Sequence, residues 1–392
     1  MSNNILSGVK VIELASVLAG PSVGQFLAES GAEVIKVENP KTKGDVTRTW
    51  KTKDETTDDI SAYFSSVNWG KKSIALDYSS LEGLKILQEL IKGADIVITS
   101  FKPGDAKKLG VTYQSLQKIN PGLIYGSLTG FGDDDSRAGY DAVVQAESGF
   151  MYINGEPSGN PLKLPVALMD ILAAHHLKEA ILLAYIQRLK SGIGQSVSVS
   201  LIDAAITSLA NQATNWLVGN KEPERKGSLH PNIAPYGEIF KTSDNGQIML
   251  AIGTDKQFQN LCEVLNISAD EKFSSNQSRV VHRKALSEKI SAAAAQWGTQ
   301  ELLKALHQRH VPAGLIRKVS EALKQYNKQI IAAKSLQGIN NFAGFMEYSE
   351  KSSHFLPPPH FGEHTFEVLK QEIGLKASEI AKLGQLGVIS PS

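Results

Sequence analysis

Asp170 is the residue in this chain whose setting most invites chemistry. An apolar approach, residues 164–169, leads to it, and behind it Ile171, Ala174, Leu177, Ala180, Ile181 and Ala184 recur at steps of three and four. That spacing predicts a long helix with one packed face, with Lys178, Glu179, Gln187 and Arg188 outward and Asp170 at or just before its N-terminus. Two roles are open to an aspartate there. It is a good N-cap. It is also a carboxylate that the positive end of a helix keeps anionic, and so a candidate nucleophile at the mouth of a cleft.

Lysines are the second group with chemical potential. Lys71, Lys72, Lys107 and Lys108 fall in loops or at the ends of short β-rich runs, where open α/β sheets bind phosphate-bearing ligands and where solvated surface lysines also stand. A third candidate is the stretch 131–159, rich in Gly, Asp and Ser, in which Tyr140, Asp141 and Gln145 lead to a turn at Gly149. A weaker signal is Glu38, which ends a strand about twenty residues beyond the first loop, as a ribose-binding acid would. That loop holds only Gly20 and Gly24, not the three glycines of a dinucleotide site, so a nicotinamide or flavin is not expected.

The elements that must position these groups alternate. Residues 9–14 and 32–38 read as strands around a helix at 22–30, a βαβ unit that implies a parallel sheet. Further strands at 73–76, 95–99, 123–129 and 195–201 are interleaved with helices at 81–92 and 113–119 and the Asp170 helix, and a helix at 203–219 follows. Charges, His230 and two prolines between 220 and 235 mark a boundary. Beyond it a hairpin turning at Asp244-Asn245-Gly246 and several amphipathic helices predict a different, α+β, organisation. The reading is an α/β chain with a doubly wound, mainly parallel, Rossmann-like large domain over 1–220, a smaller α+β domain over 221–330, and a segment 331–392 that returns to the large domain.

Composition narrows the function. The 392 residues are 42% hydrophobic and 21% charged, enough for two domains with cores. Lys plus Arg number 41 against 40 for Asp plus Glu, so neither nucleic acid nor an anionic membrane is the expected partner. The single cysteine, Cys262, excludes an intramolecular disulfide and suits a reducing, cytoplasmic setting. The first residues show no basic leader followed by a long apolar region, and no window reaches the length of a membrane span.

Across almost its whole length the chain resembles the class III CoA-transferases, the CaiB–BaiF or formyl-CoA transferase family. The stretches that carry the likeness are LSGVKVIELASVLAGP, SGAEVIKVENP, GKKSIALDY, FKPGDAKKLGVTY, NPGLIYGSLTGFG, GYDAVVQAESGFM, the Asp170 helix with RLKSGIGQSVSVSLIDA, HVPAGLI and GEHTFEVL. The resemblance implies an interlocked, ring-like homodimer, acyl-CoA and carboxylic acid substrates, and no metal or cofactor besides the CoA thioester itself. It also implies that Asp170 is the catalytic residue. Its carboxylate would attack the thioester to give a mixed anhydride and then an aspartyl-CoA thioester. For CoA, the resemblance points to the backbone of Leu18 and Ala19, and to Arg48, Lys71 or Lys72, Phe101 and Lys108, with Tyr140 beside them and Gly253 in the turn that serves the oxyanion. Formyl-specific members carry glutamine where Leu18 stands, so formate and oxalate are not the expected acids.

Two alternatives share the fold. An α-methylacyl-CoA racemase would need a histidine in a Gly-His-Asp segment, here Gly139-Tyr140-Asp141, and a glutamate where Lys241 stands. A CoA-binding protein without turnover would need no nucleophile.

Overall fold

The computed structural model describes residues 4–268, 270–344 and 355–390. The chain divides into two compact units, one of Met1–Ser148, Leu164–Thr214 and Lys328–Ser392, the other of Gly149–Lys163 and Asn215–Asn327.

The first unit is built on six strands: β1 (Lys10–Glu13), β2 (Glu33–Glu38), β3 (Lys71–Ala75), β4 (Ile96–Thr99), β5 (Ile124–Thr129) and β6 (Ser196–Ser200). They lie in the order β3-β2-β1-β4-β5-β6, and every pairing is parallel. This is the doubly wound α/β order, and its strand sequence reverses between β1 and β4. Strands covered on both faces need apolar residues at nearly every position. β4, of sequence IVIT, is buried throughout. One face packs Ile12, Ile35, Ile74 and Val97 against Leu87, Ile91, Val368 and Leu369, each buried Leu or Ile contributing about 2 kcal/mol. Glu13, Lys36, Glu38 and Lys71 are buried in the same sheet. Charges there must be paired.

Several helices differ from the expected ranges. The first runs Ala19–Glu29, three residues earlier than the pattern suggested, because Pro21 sits in its first turn, where a missing N–H costs no hydrogen bond. The helix expected over 203–219 is two, Leu201–Thr207 and Asn211–Leu217, broken where Ala210 takes φ 50°. The central helix spans Leu168–Ser191 and buries Met169, Ala173, Ala174, Leu177, Ile181 and Ala184. Lys178, expected outside, is buried with them, because its stem lies against the first helix and its ammonium reaches Ser22 and Asn341. The opposite face of this helix is apolar too, with Leu183, Ile186 and Leu189 exposed.

The C-terminal segment packs on the β3 edge. Thr365 Oγ1 accepts from the Ala75 amide at 3.0 Å, and the Val388 carbonyl accepts from the Asp77 amide at 2.8 Å. Before it a short hairpin that the sequence did not announce, β10 (Ile330–Ala333) with β11 (Leu336–Ile339), is tied to the first helix through Asn341 and Glu29. In the second unit β7 (Tyr236–Lys241), β8 (Gln247–Ala251) and β9 (Ala313–Leu315) form an antiparallel sheet, with the β7–β8 turn at the Asp-Asn-Gly triplet. Helices Asp255–Leu265, Arg283–Ala294 and Thr299–Gln308 close a core around Phe240, Ile248 and Leu302. Among the described residues no helix is long and apolar enough to cross a membrane.

Candidate active site

Loops leaving the C-terminal ends of β1, β4, β5 and β6 meet over the point where the strand order reverses, which is where doubly wound sheets bind ligands. They enclose a cavity of about 260 Å³ lined by residues 16–20, 100–103, 128–130 and 137–141, with Leu201 and Asp170. Leu18, Ala19, Phe101, Tyr140 and Asp170, named from the sequence, therefore share one cavity.

Asp170 is not the cap of its helix. The N-cap position is Ala167, which offers no side-chain acceptor, and Asp170 lies inside the first turn. The cap comes from elsewhere in the chain: Asp141 Oδ1 accepts from the Met169 amide at 2.8 Å. Asp141 Oδ2 in turn accepts from Gln145 Nε2 at 2.7 Å, and Gln145 Oε1 accepts from the Leu164 amide at 2.7 Å. Asp141 and Gln145, four apart on the short helix Asp141–Glu147, thus grip the segment that leads into the Asp170 helix. The Asp170 carboxyl itself is pushed up to about 7, first by burial and then by the charge of Asp141. Poor solvation and a like charge thus work against the anion that the helix N-terminus was expected to favour. Tyr63 is close enough to feel the same charges. Burial, then Asp170, Asp141 and Asp45, push its phenol up to about 12.

The expected phosphate contacts separate into two groups. Arg48 is buried over the Phe64 ring at 3.7 Å, donates to both Glu38 oxygens at 2.9 and 2.7 Å, and reaches the Pro359 carbonyl at 3.1 Å. Lys71 is fully buried and donates to Glu13, the Pro21 carbonyl and Asn68. Both are committed to the interior. Lys72 pairs with Glu33 and Glu367, and Lys108 with Asp105, away from the cavity lining. Gly253 belongs to the second unit, and its N–H donates to Gln257 Oε1 at 2.9 Å. The cations that do line the cavity are Lys102 and Arg137, neither singled out by the sequence. Arg137 stacks on Phe131 and shares its guanidinium between Asp135 and Glu147. Lys102 is exposed and has no ion-pair partner among the described residues.

Glu38, the acid that invited a dinucleotide, is filled by Arg48, Ser73 and the Asp45 amide. Among the described residues one group has metal-ligand spacing, Asp58, Asp59 and His360. Its Asp59 is already taken up by His360, the Phe361 amide and Arg48.

The model of CoA-transferase family III matches residues 6–365. The chain belongs to that family. The succinate–glutarate CoA-transferase of Agrobacterium fabrum is 44% identical over 326 residues, 81% of each chain. The human succinyl-CoA:glutarate CoA-transferase is 35% identical over 402 residues, covering 99% of this chain and 91% of its own. A CaiB/BaiF family protein from Brucella suis superposes with a TM-score of 0.82 at 38% identity, over 94% of this chain and all of that one. The protein is therefore an enzyme, a family III CoA-transferase acting on an acyl-CoA and a carboxylic acid. For such a CoA-transferase the cavity supplies a carboxylate at one wall, apolar surface from Leu18, Phe101 and Leu128, and cations at Lys102 and Arg137. The racemase pair is missing from its expected positions: Tyr140 stands where the histidine would, and Lys241 lies on β7 of the second unit.

Proposed function

We propose that this CoA-transferase moves CoA between short dicarboxylic acids of the succinate and glutarate kind, with Asp170 as the covalent nucleophile. The observation that carries the mechanism is that Asp170 and Asp141 line the same cavity, where burial and then the charge of Asp141 act on the Asp170 carboxyl. The influences that raise the pKa of Asp170, burial and a neighbouring negative charge, disfavour its anion relative to any neutral form. A protonated carboxyl is one neutral form, and a mixed anhydride and an aspartyl thioester are others. Acylation of Asp170 therefore relieves the same repulsion.

In the first step an Asp170 oxygen attacks the thioester carbonyl, the C–S bond breaks, and CoA leaves as thiolate. The thiolate then attacks the Asp170 carboxyl carbon of the anhydride. The bond from that carbon to the bridging oxygen breaks, and the donor acid leaves as carboxylate carrying that oxygen. An acceptor carboxylate reverses both steps and carries CoA away, so thioester energy is exchanged rather than supplied. Oxyanions form at each stage, and backbone N–H groups of the loops around the cavity are the donors of suitable type. Lys102 at the rim suits the phosphates of CoA. Arg137 suits the distal carboxylate of a dicarboxylic acid, and the names of the Agrobacterium and human relatives favour that class.

A second copy of the chain is the proposed cover for the outer face of the Asp170 helix, where Leu183 and Leu189 are 69% and 70% exposed. The interlocked homodimer that the family resemblance implies would supply it. A reducing, cytoplasmic setting suits the lone half-buried Cys262, whose thiol burial pushes up.

The test is to incubate the enzyme with succinyl-CoA without acceptor, quench with neutral hydroxylamine, and map the peptides by mass spectrometry. A hydroxamate on Asp170 is expected. Turnover to glutaryl-CoA with no modification of Asp170 would show that the transfer is direct and sink the covalent mechanism.

A further inference from the structure

Beneath the first cavity loop lies a buried group of four charges that the chemistry above does not use: Glu13, Lys36, Asp45 and Lys71, each at most 4% exposed. Two are negative and two positive, so the group is neutral. Glu13 and Lys36 are cross-strand neighbours on β1 and β2. Lys36 Nζ donates to Glu13 Oε1 at 3.0 Å and pairs with Asp45 Oδ2 at 3.0 Å. Lys71 Nζ donates to both Glu13 oxygens, at 3.0 and 2.8 Å.

Each branch of this group ends on the backbone of the loop. Lys36 donates to the Ala15 carbonyl at 2.8 Å, Lys71 to the Pro21 carbonyl at 2.8 Å, and Asp45 accepts from the Val17 amide at 3.2 and 3.3 Å. The loop is held before, at and after Val17. Val17 itself takes φ 73°, a left-handed conformation that a β-branched residue adopts only when its surroundings impose it. Ser16, Val17, Leu18, Ala19 and Gly20 all line the cavity that holds Asp170. The two glycines of this region serve the same group. A Cβ on Gly24 would lie 1.8 Å from Glu13 Oε2, and one on Gly20 would lie 2.3 Å from Ala15 Cβ. Their absent side chains let the first helix close down on the charges and on the loop.

We propose that Asp45, itself clamped by Lys36, is a positioning residue for CoA transfer: it holds Val17 left-handed and so presents the backbone from Leu18 to Gly20 to the acyl-CoA. Two further features fit a clamp of this kind. Burial alone would lower Lys36, yet the charges of Asp45, Glu13 and Glu38 hold its ammonium above its ordinary value, so the clamp stays charged throughout the physiological range. Asp45 is tied down a second time, accepting from the Thr47 amide at 3.0 Å and from Thr47 Oγ1 at 2.8 Å. The proposal rests on the reading of the cavity as the acyl-CoA site.

The experiment measures kcat and KM for succinyl-CoA, with saturating glutarate, in Asp45→Asn, Asp45→Asn with Val17→Gly, Val17→Pro and Leu18→Arg, alongside circular dichroism of each. Asparagine keeps one acceptor but loses the charge that holds both Lys36 and Val17, so KM should rise about ten-fold with a smaller change in kcat. Adding Val17→Gly should bring KM back to within about three-fold of wild type, because glycine takes the left-handed conformation unaided. A structural role for Asp45 alone predicts no such rescue, and a double variant no better than Asp45→Asn overturns the proposal. Should Asp45→Asn not fold, Val17→Pro decides, since proline cannot adopt φ 73° while Asp45 and Lys36 stay native. A wild-type KM in that variant also overturns it. Leu18→Arg separates the two readings. If it leaves KM unchanged, the cavity is not the acyl-CoA site; if it raises KM while folded Asp45→Asn does not, the cavity stands and only the positioning role falls.

Discussion

Asp141 accepts the amide of Met169 at 2.8 Å, one residue ahead of Asp170, so the carboxylate that caps the Asp170 helix is also a charge that, after burial, raises the pKa of Asp170. Asp141 thus contributes to the position of Asp170 and, after burial, to its raised pKa. Removing its charge while keeping an acceptor separates the two.

Asp141→Asn should therefore leave the helix start in place and lower the pKa of Asp170. Only the anion attacks, so kcat/KM in the wild type rises with pH and levels off above about 7. In Asp141→Asn that acid limb should move down by about one pH unit. A pH–rate profile for succinyl-CoA consumption checks it, and an unmoved limb would mean that burial alone sets the pKa.

Asp170→Asn should abolish transfer and, above neutrality, stabilise the fold. A carboxyl whose folded pKa is raised binds more protons native than unfolded between about pH 4 and 7, so its contribution to stability falls as pH rises through that window. The melting temperature of the variant should exceed that of the wild type at pH 8 and converge with it at pH 4. Equal melting curves at pH 8 would contradict the raised pKa.

Gln145→Ala removes the clamp on the Leu164 amide together with the hydrogen bond to Asp141 Oδ2, while leaving every charged side chain of the cavity in the chain. Loss of orientation at the nucleophile should lower kcat about ten-fold, with KM for succinyl-CoA changed far less. Steady-state kinetics separate these, and the reverse pattern would place Gln145 in substrate binding.

Arg48 and Lys102 should respond in opposite ways. Arg48→Met strands the buried Glu38 carboxylate and should cost about 3 kcal/mol of stability by urea unfolding. Lys102→Ala should cost almost no stability but raise KM for acyl-CoA, and raise it less at high salt, where the wild-type contact is already screened. A stable Arg48→Met with a raised KM would return Arg48 to the binding site.

The parallel sheet and the prominence of Asp170 were legible because each is written locally; the catalytic role proposed for Asp170 came from the family resemblance. Runs such as the IVIT of β4 declare a strand covered on both faces, and Asp170 declares itself by breaking an apolar run at the head of a helix. What was not legible depends on partners distant in sequence. Lys71 reads as a phosphate ligand until Glu13, 58 residues away, is seen to take both its charge and its donors. Arg48 reads the same way until Glu38 and the Pro359 carbonyl, 311 residues on, enclose it. Asp141 and Gln145 stood out as polar residues in a flexible-looking stretch, but their targets, Met169 and Leu164, lie across a segment that belongs to the other unit. Val17 carried no signal, since nothing in its type announces a left-handed backbone.

The neutral quartet under the first loop bears on how such sequences can be recombined. Its members sit at positions 13, 36, 45 and 71, and each buried charge is paired with at least one other member. Replacing one leaves an uncompensated charge, whereas replacing all four by a matched apolar set from a relative leaves none. Chimeras joined anywhere between residues 13 and 71 would split the quartet across two parents, and those joined beyond 71 would inherit it whole. On this account residues 13–71 form a stretch that resists being cut.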